Sequence, residues 1–150
     1  MFPTDDEIHN LCEGVIGCAI EVHRTLGPGL IESVYRECLT LELATNGFGF
    51  ERELRVPLTY KGQRVRSPLK IDLLVSGMLV VELKAVEALH PIHKAQVITY
   101  LKLTGCPAGL LMNFNTTALR SGLHRLDHPD RYLAKQKRWR SERDGPDGLS

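Results

Sequence analysis

Two acidic residues and a lysine lie in a pair of short apolar segments near the middle of the chain. Asp72 interrupts the apolar run at residues 69–75, and Glu82 and Lys84 interrupt the run at residues 79–84. Carboxylate oxygens are the ligands that hard divalent cations such as Mg²⁺ prefer. If the two segments are neighbouring strands, they bring two carboxylates and one ammonium group together as a candidate cation site.

The register between these segments follows from the alternation of their side chains. Opposed residues of paired strands share a face, so a slip of one residue moves every side chain to the other face. One register gives a wholly apolar face, through the pairs Ile71–Leu83, Leu73–Val81 and Val75–Leu79. The other face then brings Asp72 beside Glu82. This register requires an odd connection, Ser76-Gly77-Met78, in which glycine or a bulge takes up a left-handed conformation.

Opposed carboxylates need a positive partner, because their β-carbons lie only about 4.5 to 5.5 Å apart and like charges repel. A divalent cation is one such partner, and Lys84, two residues after Glu82 on the same face, is the other. An ordinary surface cluster of ion pairs is the alternative. Leu74 and Val80 make the same face partly apolar, so charges placed there need partners in either case.

Two helices are predicted to precede the strands. Thr4-Asp5-Asp6-Glu7 is a capping box that begins the first helix, and Gly27-Pro28-Gly29 ends it. The second helix is predicted from about Leu30 to Thr45. Its apolar stripe is predicted to consist of Leu30, Val34, Cys38 and Leu41.

Alternating residues and the turn signals Lys61-Gly62 and Ser76-Gly77 predict strands near 53–60, 63–75 and 78–85. Pro68 marks a break or bulge within the second of these strands. A third helix at 92–103 follows His90-Pro91, and further strands are predicted at 109–114 and around 123–126. The order ααβββαβ predicts an α+β or mixed α/β fold.

Four motifs stand in this order along the chain. They are GLIESVY at residues 29–35, preceded by EVHRTLGP; IDLLV at 71–75; VELK at 81–84; and QVITY at 96–100. With these motifs the chain resembles the GxxExxY proteins of the PD-(D/E)xK nuclease superfamily over roughly residues 8–127. Ile71 stands where the superfamily motif has proline, and the acidic Asp72 is retained.

The resemblance implies a restriction-endonuclease-like core, with a central mixed sheet flanked by helices. It implies that Asp72, Glu82 and the carbonyl of Leu83 hold Mg²⁺ or Mn²⁺, and that Glu32 completes the site directly or through water. Lys84 would orient or activate the attacking water. Such a cation acidifies water, positions a phosphate and neutralises the charge that accumulates on it.

The third predicted helix carries further candidates, because Gln96 and Tyr100 are four residues apart and share a face, with His93 one turn earlier. We predict a catalytic role for Gln96 and substrate contact for Tyr100. The alternatives are a core position for Tyr100 and an ordinary surface position for His93.

Tyr35 lies one turn after Glu32 and is another candidate for substrate contact, with simple packing as the alternative. Arg36 follows Glu32 by four residues and is expected to pair with it. A set of cations near the hairpin is a candidate for phosphate binding, with a solvated strand edge as the alternative. This set consists of Lys61, Arg64, Arg66 and Lys70, of which Arg66 and Lys70 are the leading candidates.

Composition limits the protein class. The chain of 150 residues is 43% hydrophobic and 25% charged, which is typical of one globular domain. No apolar run approaches the roughly 18 residues of a spanning helix, and the acidic N-terminus argues against a signal peptide. The four cysteines form no CxxC pair and are expected as buried hydrophobes in a reducing compartment. These features predict a cytoplasmic protein without membrane contact.

Residues 1–127 are predicted to form the nuclease-like domain and residues 128–150 a charged, mobile tail. The tail carries six Lys or Arg and four Asp or Glu, so a basic nucleic-acid arm is the alternative. The formal net charge of +1 means that any binding of nucleic acid depends on a local patch.

The leading prediction is a divalent-metal-dependent nuclease, with DNA favoured over RNA as its substrate. The alternative is a non-catalytic module that keeps the fold and binds nucleic acid or another protein. The residues leave the oligomeric state open, a homodimer included.

Overall fold

The structure is a computed structural model that describes residues 2–131, so residues 132–150 of the predicted tail lie outside it. The described helices are α1 (Asp5–Leu26), α2 (Glu32–Thr45) and α3 (Pro91–Thr104), with a short 3-10 helix at Leu119–Gly122. The strands are β1 (Phe50–Arg55), β2 (Leu58–Tyr60), β3 (Gln63–Val65), β4 (Lys70–Val75), β5 (Leu79–Lys84), β6 (Ala108–Asn113) and β7 (Leu123–Asp127).

Five strands form a mixed central sheet in the order β1-β4-β5-β6-β7. The pair β5 and β6 is parallel, with α3 as its crossover, and the other neighbouring pairs are antiparallel. Strands β2 and β3 form a separate antiparallel hairpin. This architecture confirms the predicted α+β class and is consistent with a restriction-endonuclease-like core.

The strands before β5 are shorter and more numerous than predicted. The strand predicted at 53–60 is divided between β1 and β2 around Pro57. The strand predicted at 63–75 is divided between β3 and β4 around Pro68, where a break or bulge was predicted. Proline has no backbone N–H to donate to a ladder, which accounts for both breaks. As a result, β2 and β3 form a separate hairpin and do not join the central sheet.

Helix α1 begins with the predicted capping box. The Thr4 hydroxyl accepts from the Glu7 N–H at 3.2 Å, and the Glu7 carboxylate accepts from the Thr4 N–H at 2.8 Å. Two glycines of this helix have different surroundings. A β-carbon at Gly14 would lie 2.5 Å from the ring of Phe48, whereas one at Gly17 would meet open space.

The buried stripe of α2 differs from the prediction. Tyr35, Leu39 and Leu43 are fully buried, whereas Leu41 is 62% exposed and Leu30 and Val34 are also exposed. The helix carries two apolar stripes, and the one that includes the large ring of Tyr35 packs against the sheet.

Two hydrophobic clusters lie on opposite faces of the sheet. The first joins α1 and α2 to the sheet and includes Val15, Leu39, Leu73, Val81 and Leu110. The second joins α3 to the sheet and includes Val80, Val97, Leu101 and Leu111. The alternation of Val80 and Val81 between the clusters reflects the period of two along β5.

The β4–β5 hairpin has the predicted register, with the pairs Leu73–Val81, Leu74–Val80 and Val75–Leu79. Its connection is the predicted three-residue turn, in which Ser76 and Gly77 have positive φ angles of 54° and 65°. Ile71 is the exception to the predicted apolar face. It packs in the α3 cluster with Val56, because the two strands separate beyond Leu73.

The two ends of the described chain meet. Arg131 is buried and pairs with Asp127 and with Asp5, whose Oδ1 lies 2.6 Å from Arg131 Nη2. The ring centroids of Phe2 and His128 are 5.2 Å apart. Residues 128–131 therefore pack on the domain, and the predicted domain boundary at 127 stays a prediction.

The four cysteines have free thiols, and Cys12, Cys18 and Cys106 are buried as expected, while Cys38 is half-buried. Across residues 2–131, no helix combines the length and the apolar character needed to cross a bilayer.

Candidate active site

Asp72 and Glu82 bridge the two strands of the hairpin where the backbone ladder stops. The Asp72 N–H donates to Glu82 Oε1 at 3.0 Å, and the Leu83 N–H donates to Asp72 Oδ2 at 2.9 Å. Each carboxylate thus accepts from the backbone of the opposite strand. The convergence of the two carboxylates, predicted from the register, is what the structure shows.

Glu82 is the most perturbed of these acids. It is only 5% exposed, and burial, followed by the negative charge of Asp72, raises its pKa from 4.5 to about 8. The hydrogen bond from the Asp72 N–H and the charge of Lys84 act in the opposite direction but do not compensate. Near neutral pH this position therefore favours either a proton or a nearby cation.

Glu32 is the first residue of α2 and faces the same acidic pair. Burial and then the charge of Asp72 raise its pKa, while Lys84 and Arg36 lower it. Glu32 is therefore within electrostatic range of Asp72 and Lys84. Within residues 2–131, however, no three His, Cys, Asp or Glu side chains are gathered as a ready metal cluster, so direct ligation by Glu32 stays a prediction.

Arg36 pairs with different acids from the one predicted. Its Nη1 lies 3.3 Å from Asp72 Oδ1, and its Nη2 lies 3.6 Å from Glu53 Oε1. Glu53 stands in β1 between Arg52 and Leu54, the partners of Leu73 and Ile71, and has a positive φ of 45°, an uncommon conformation for a residue with a side chain. The expected Glu32–Arg36 pair is replaced because the sheet brings two other carboxylates to the guanidinium.

Tyr35 is placed differently from the predicted substrate contact. Its side chain is fully buried, and its ring stacks on Phe114 with centroids 4.6 Å apart. Its hydroxyl donates to the Gly27 carbonyl at 2.6 Å and accepts from the Leu30 N–H at 3.1 Å. The hydroxyl thus holds the loop that leads to Glu32, which is a positioning role and not a contact with substrate.

The loop held by Tyr35 explains the spacing of its motif. Gly27 and Gly29 have φ angles of 69° and 103°, which favour glycine. Tyr35 lies one turn beyond Glu32 and reaches back to this loop, so the tyrosine and the glycines fix the start of α2, where Glu32 stands.

Helix α3 places its three candidates at different depths. Tyr100 is only 4% exposed and belongs to the α3 cluster, and its pKa is raised by burial and then by the charges of Glu82 and Asp72. Gln96 is exposed, and its side chain makes no hydrogen bond with any residue from 2 to 131. His93 accepts from the His90 N–H at 3.0 Å as part of the helix cap. Its pKa is lowered by burial and then by the charge of Lys84.

Asn113 is a site residue that the sequence reasoning missed. It is buried, pairs with Lys84 across the parallel strands, and bonds both the N–H and the carbonyl of Val86 through its amide, at 3.1 and 2.9 Å. Asn113 thereby fixes the course of the chain immediately after Lys84. An asparagine at the end of a buried apolar strand was the signal available in the sequence.

The predicted phosphate-binding cations are exposed. Lys70 opens β4, two residues before Asp72, and Arg66 lies in the connection between β3 and β4. The structure therefore brings Lys70 near the acidic pair along the same strand, while Arg66 belongs to the neighbouring hairpin.

The donor set suits a divalent cation. Asp72 and Glu82 supply carboxylate oxygens at one point, and the raised pKa of Glu82 means that its ionised form is disfavoured unless a cation lies nearby. Oxygen donors of this kind hold Mg²⁺ or Mn²⁺. These residues thus fit the cation that the sequence resemblance implies.

Comparison with known proteins agrees with this geometry. A family model for the PD-(D/E)XK nuclease superfamily matches residues 9–126, which is most of the chain and includes every element from α2 to β6. None of the curated proteins compared with the chain matches it. The extent of the family match, together with the acidic hairpin and the mixed sheet, shows that the chain belongs to the PD-(D/E)XK nuclease superfamily.

Proposed function

We propose that the protein is a divalent-metal-dependent nuclease of the GxxExxY type that hydrolyses phosphodiester bonds, with DNA favoured over RNA. The observation that carries the proposal is the pair of the half-buried Asp72 and the buried Glu82, whose carboxylates accept from the backbone N–H groups of Leu83 and Asp72 respectively. A purely structural pair of acids would be costly at this depth, because neither carboxylate neutralises the other.

Asp72, Glu82 and the carbonyl of Leu83 would hold Mg²⁺ or Mn²⁺, with Glu32 directly or through water as a further ligand. When bound, such a cation lowers the pKa of water and offsets negative charge on a phosphate. The hairpin supplies rigid positions for these oxygens, because both carboxylates are already fixed by backbone hydrogen bonds.

Lys84 is the second functional group in this proposal. It lies on β5 two residues after Glu82, and its charge acts on Glu82, Glu32 and His93. An ammonium group there stabilises the charge that builds on the phosphate oxygens as water attacks phosphorus and the bond to the leaving oxygen breaks. Gln96, exposed one turn before Tyr100, is available to orient the water or the phosphate.

A non-catalytic module that keeps the fold is the second candidate, and Arg36 favours it. The guanidinium already supplies Asp72 with a positive partner at 3.3 Å, so this carboxylate is compensated without a metal. Such a module would bind nucleic acid or another protein without cleaving it.

Cleavage assays separate the two candidates. Purified protein is incubated with linear, circular and single-stranded DNA and with RNA, in Mg²⁺ or Mn²⁺, beside the Asp72→Ala and Lys84→Ala variants. We expect cleavage by the wild type and a loss of at least about a hundredfold in both variants. Opening of the circular substrate identifies endonuclease action.

Absence of cleavage with every substrate, or equal cleavage by wild type and variants, refutes the nuclease proposal. Retention of nucleic acid by a non-cleaving wild type, with normal retention by Lys84→Ala, is the result that the non-catalytic module predicts.

A further inference from the structure

The hairpin of β2 and β3 borders an open groove that the proposed catalysis does not explain. The groove has a volume of about 850 Å³ and lies between the end of β1 and the hairpin. Its polar lining consists of Arg55, Arg64, Arg66 and Ser67, with Pro57 and Pro68 beside them, and no acidic residue lines it.

The arginines of this groove differ from most others in the protein. Five of the nine arginines in residues 2–131 form ion pairs with acids, namely Arg24, Arg36, Arg52, Arg125 and Arg131. Three of the other four are Arg55, Arg64 and Arg66, which are all exposed and all line the groove. Guanidinium groups without carboxylate partners are thus concentrated at one place, which points to an anionic ligand with several charges.

Arg55 links the groove to β4, the strand that carries Asp72. Arg55 is the cross-strand partner of Lys70 in the β1–β4 ladder. Lys70 in turn precedes Asp72 by two residues, which corresponds to about 7 Å along a strand. A row of cations therefore extends from the carboxylate pair, through Lys70 and Arg55, into the groove.

We propose that this groove binds the phosphodiester backbone of a nucleic-acid strand beside the bond that the acidic site cleaves. The proposal rests on the proposed nuclease function and names where its substrate is held. Planar guanidinium groups bind phosphate through paired hydrogen bonds, and such contacts position a strand without reading its sequence. An acidic ligand of another class would have no reason to lie next to a site built for a phosphate.

The test compares two double variants that remove the same charge. Arg64→Ala/Arg66→Ala alters the groove, and Lys102→Ala/Arg120→Ala alters two exposed positions in α3 and the 3-10 helix. Binding of fluorescein-labelled single-stranded and duplex DNA is followed by fluorescence anisotropy with EDTA between 0.05 and about 0.5 M salt. EDTA removes divalent cations, so catalysis plays no part in the measurement.

Loss of two phosphate contacts reduces the slope of log K against log salt by about 1.4 for single strands and 1.8 for duplex. If the variant and the wild type bind equally at 1 M salt, the affinity of the variant at 0.1 M salt is roughly 25-fold lower for single strands and 60-fold lower for duplex. The control pair should bind as the wild type does. Arg64→Lys/Arg66→Lys keeps both charges and should keep most of the salt slope.

The groove proposal is overturned if the alanine pair binds DNA with wild-type affinity and salt slope, or if the control pair weakens binding equally. It is also overturned if poly-glutamate displaces DNA at the same concentration of charge, since the groove would then accept any polyanion. Circular dichroism shows whether the alanine pair is folded. If it is not, Arg64→Gln/Arg66→Gln, which removes the same two charges with longer side chains, takes its place in the binding assay.

Failure of catalysis is detected separately, by hydrolysis of bis(p-nitrophenyl) phosphate with Mn²⁺ by the wild type and Asp72→Ala. If neither protein hydrolyses this small diester while the groove variants behave as expected, the nuclease proposal fails and the groove remains a binding site for nucleic acid.

Discussion

Replacement of Glu82 by glutamine should reduce the loss of stability that the metal-free protein undergoes between pH 7 and pH 9. The carboxyl of Glu82 is buried, and its pKa is raised from 4.5 to about 8 by burial and by Asp72. A pKa that is higher in the folded state than in the unfolded chain stabilises the fold at low pH. This stabilisation is lost as the pH rises through the folded-state value. Glutamine does not ionise and so carries no such dependence.

The magnitude follows from these two pKa values. Between pH 7 and pH 9 the free energy of unfolding of the wild type should fall by about 1.4 kcal/mol because of Glu82 alone. For a domain of this size this equals a decrease of about 3 to 6 °C in Tm. Cys12 and Cys18, whose pKa values are also raised by burial, leave a remaining slope in the variant. Burial lowers the pKa values of His93 and His124, so these groups do not add to the loss of stability at alkaline pH.

The measurement is urea denaturation or thermal unfolding at pH 7 and pH 9 with EDTA, for the wild type, Glu82→Gln and Glu87→Gln. Glu87 is an exposed residue, so its variant controls for the loss of one carboxylate. Addition of Mn²⁺ at pH 9 should stabilise the wild type and Glu87→Gln but not Glu82→Gln. Equal losses of stability in all three proteins between pH 7 and pH 9 would refute the reasoning.

Three further predictions concern other parts of the fold. Tyr35→Phe should lower the free energy of unfolding by about 1 to 3 kcal/mol in urea denaturation, because two backbone groups lose their partner; unchanged stability contradicts the loop-holding role. Arg36→Gln should bind Mn²⁺ several-fold more tightly in calorimetry without nucleic acid, because the guanidinium no longer competes for Asp72; equal or weaker affinity contradicts this competition. Gly14→Ala should lower Tm because its β-carbon meets a phenylalanine ring. Gly17→Ala should raise Tm slightly, because alanine raises the free energy of unfolding by roughly 0.5 to 1 kcal/mol through its higher helix propensity. Shifts of the same sign in both variants contradict the packing at this helix.

The central hairpin was predictable because its pattern is local. Only one register of residues 70–84 makes a face apolar, and that register fixed both the odd turn and the meeting of Asp72 with Glu82. The capping box at Thr4 and the left-handed cap at Gly105 are likewise encoded within a few residues. Strong short-range patterns leave few alternatives for the chain.

Features that depend on tertiary contacts were not predictable in the same way. Arg36 was expected to pair with Glu32 on its own helix, but β1 and β4 bring Glu53 and Asp72 to it. The buried stripe of α2 was misassigned because both of its stripes are apolar, and only packing against Phe114 selects the one with Tyr35. The partners of Arg36 and the buried stripe of α2 thus depend on contacts with elements that are distant in the sequence.

The contact of Arg131 with Asp5 and Asp127 joins residues 126 positions apart. The two ends of the described chain are therefore in contact, since the start of α1 lies beside the segment that follows β7. A circular permutant with a short linker from 131 to 2 and new termini at the exposed Asn46-Gly47 turn should keep the same sheet. The new termini would interrupt neither the β4–β5 hairpin nor the groove at residues 55–68. The site should therefore form even though the elements follow one another in a different order along the chain.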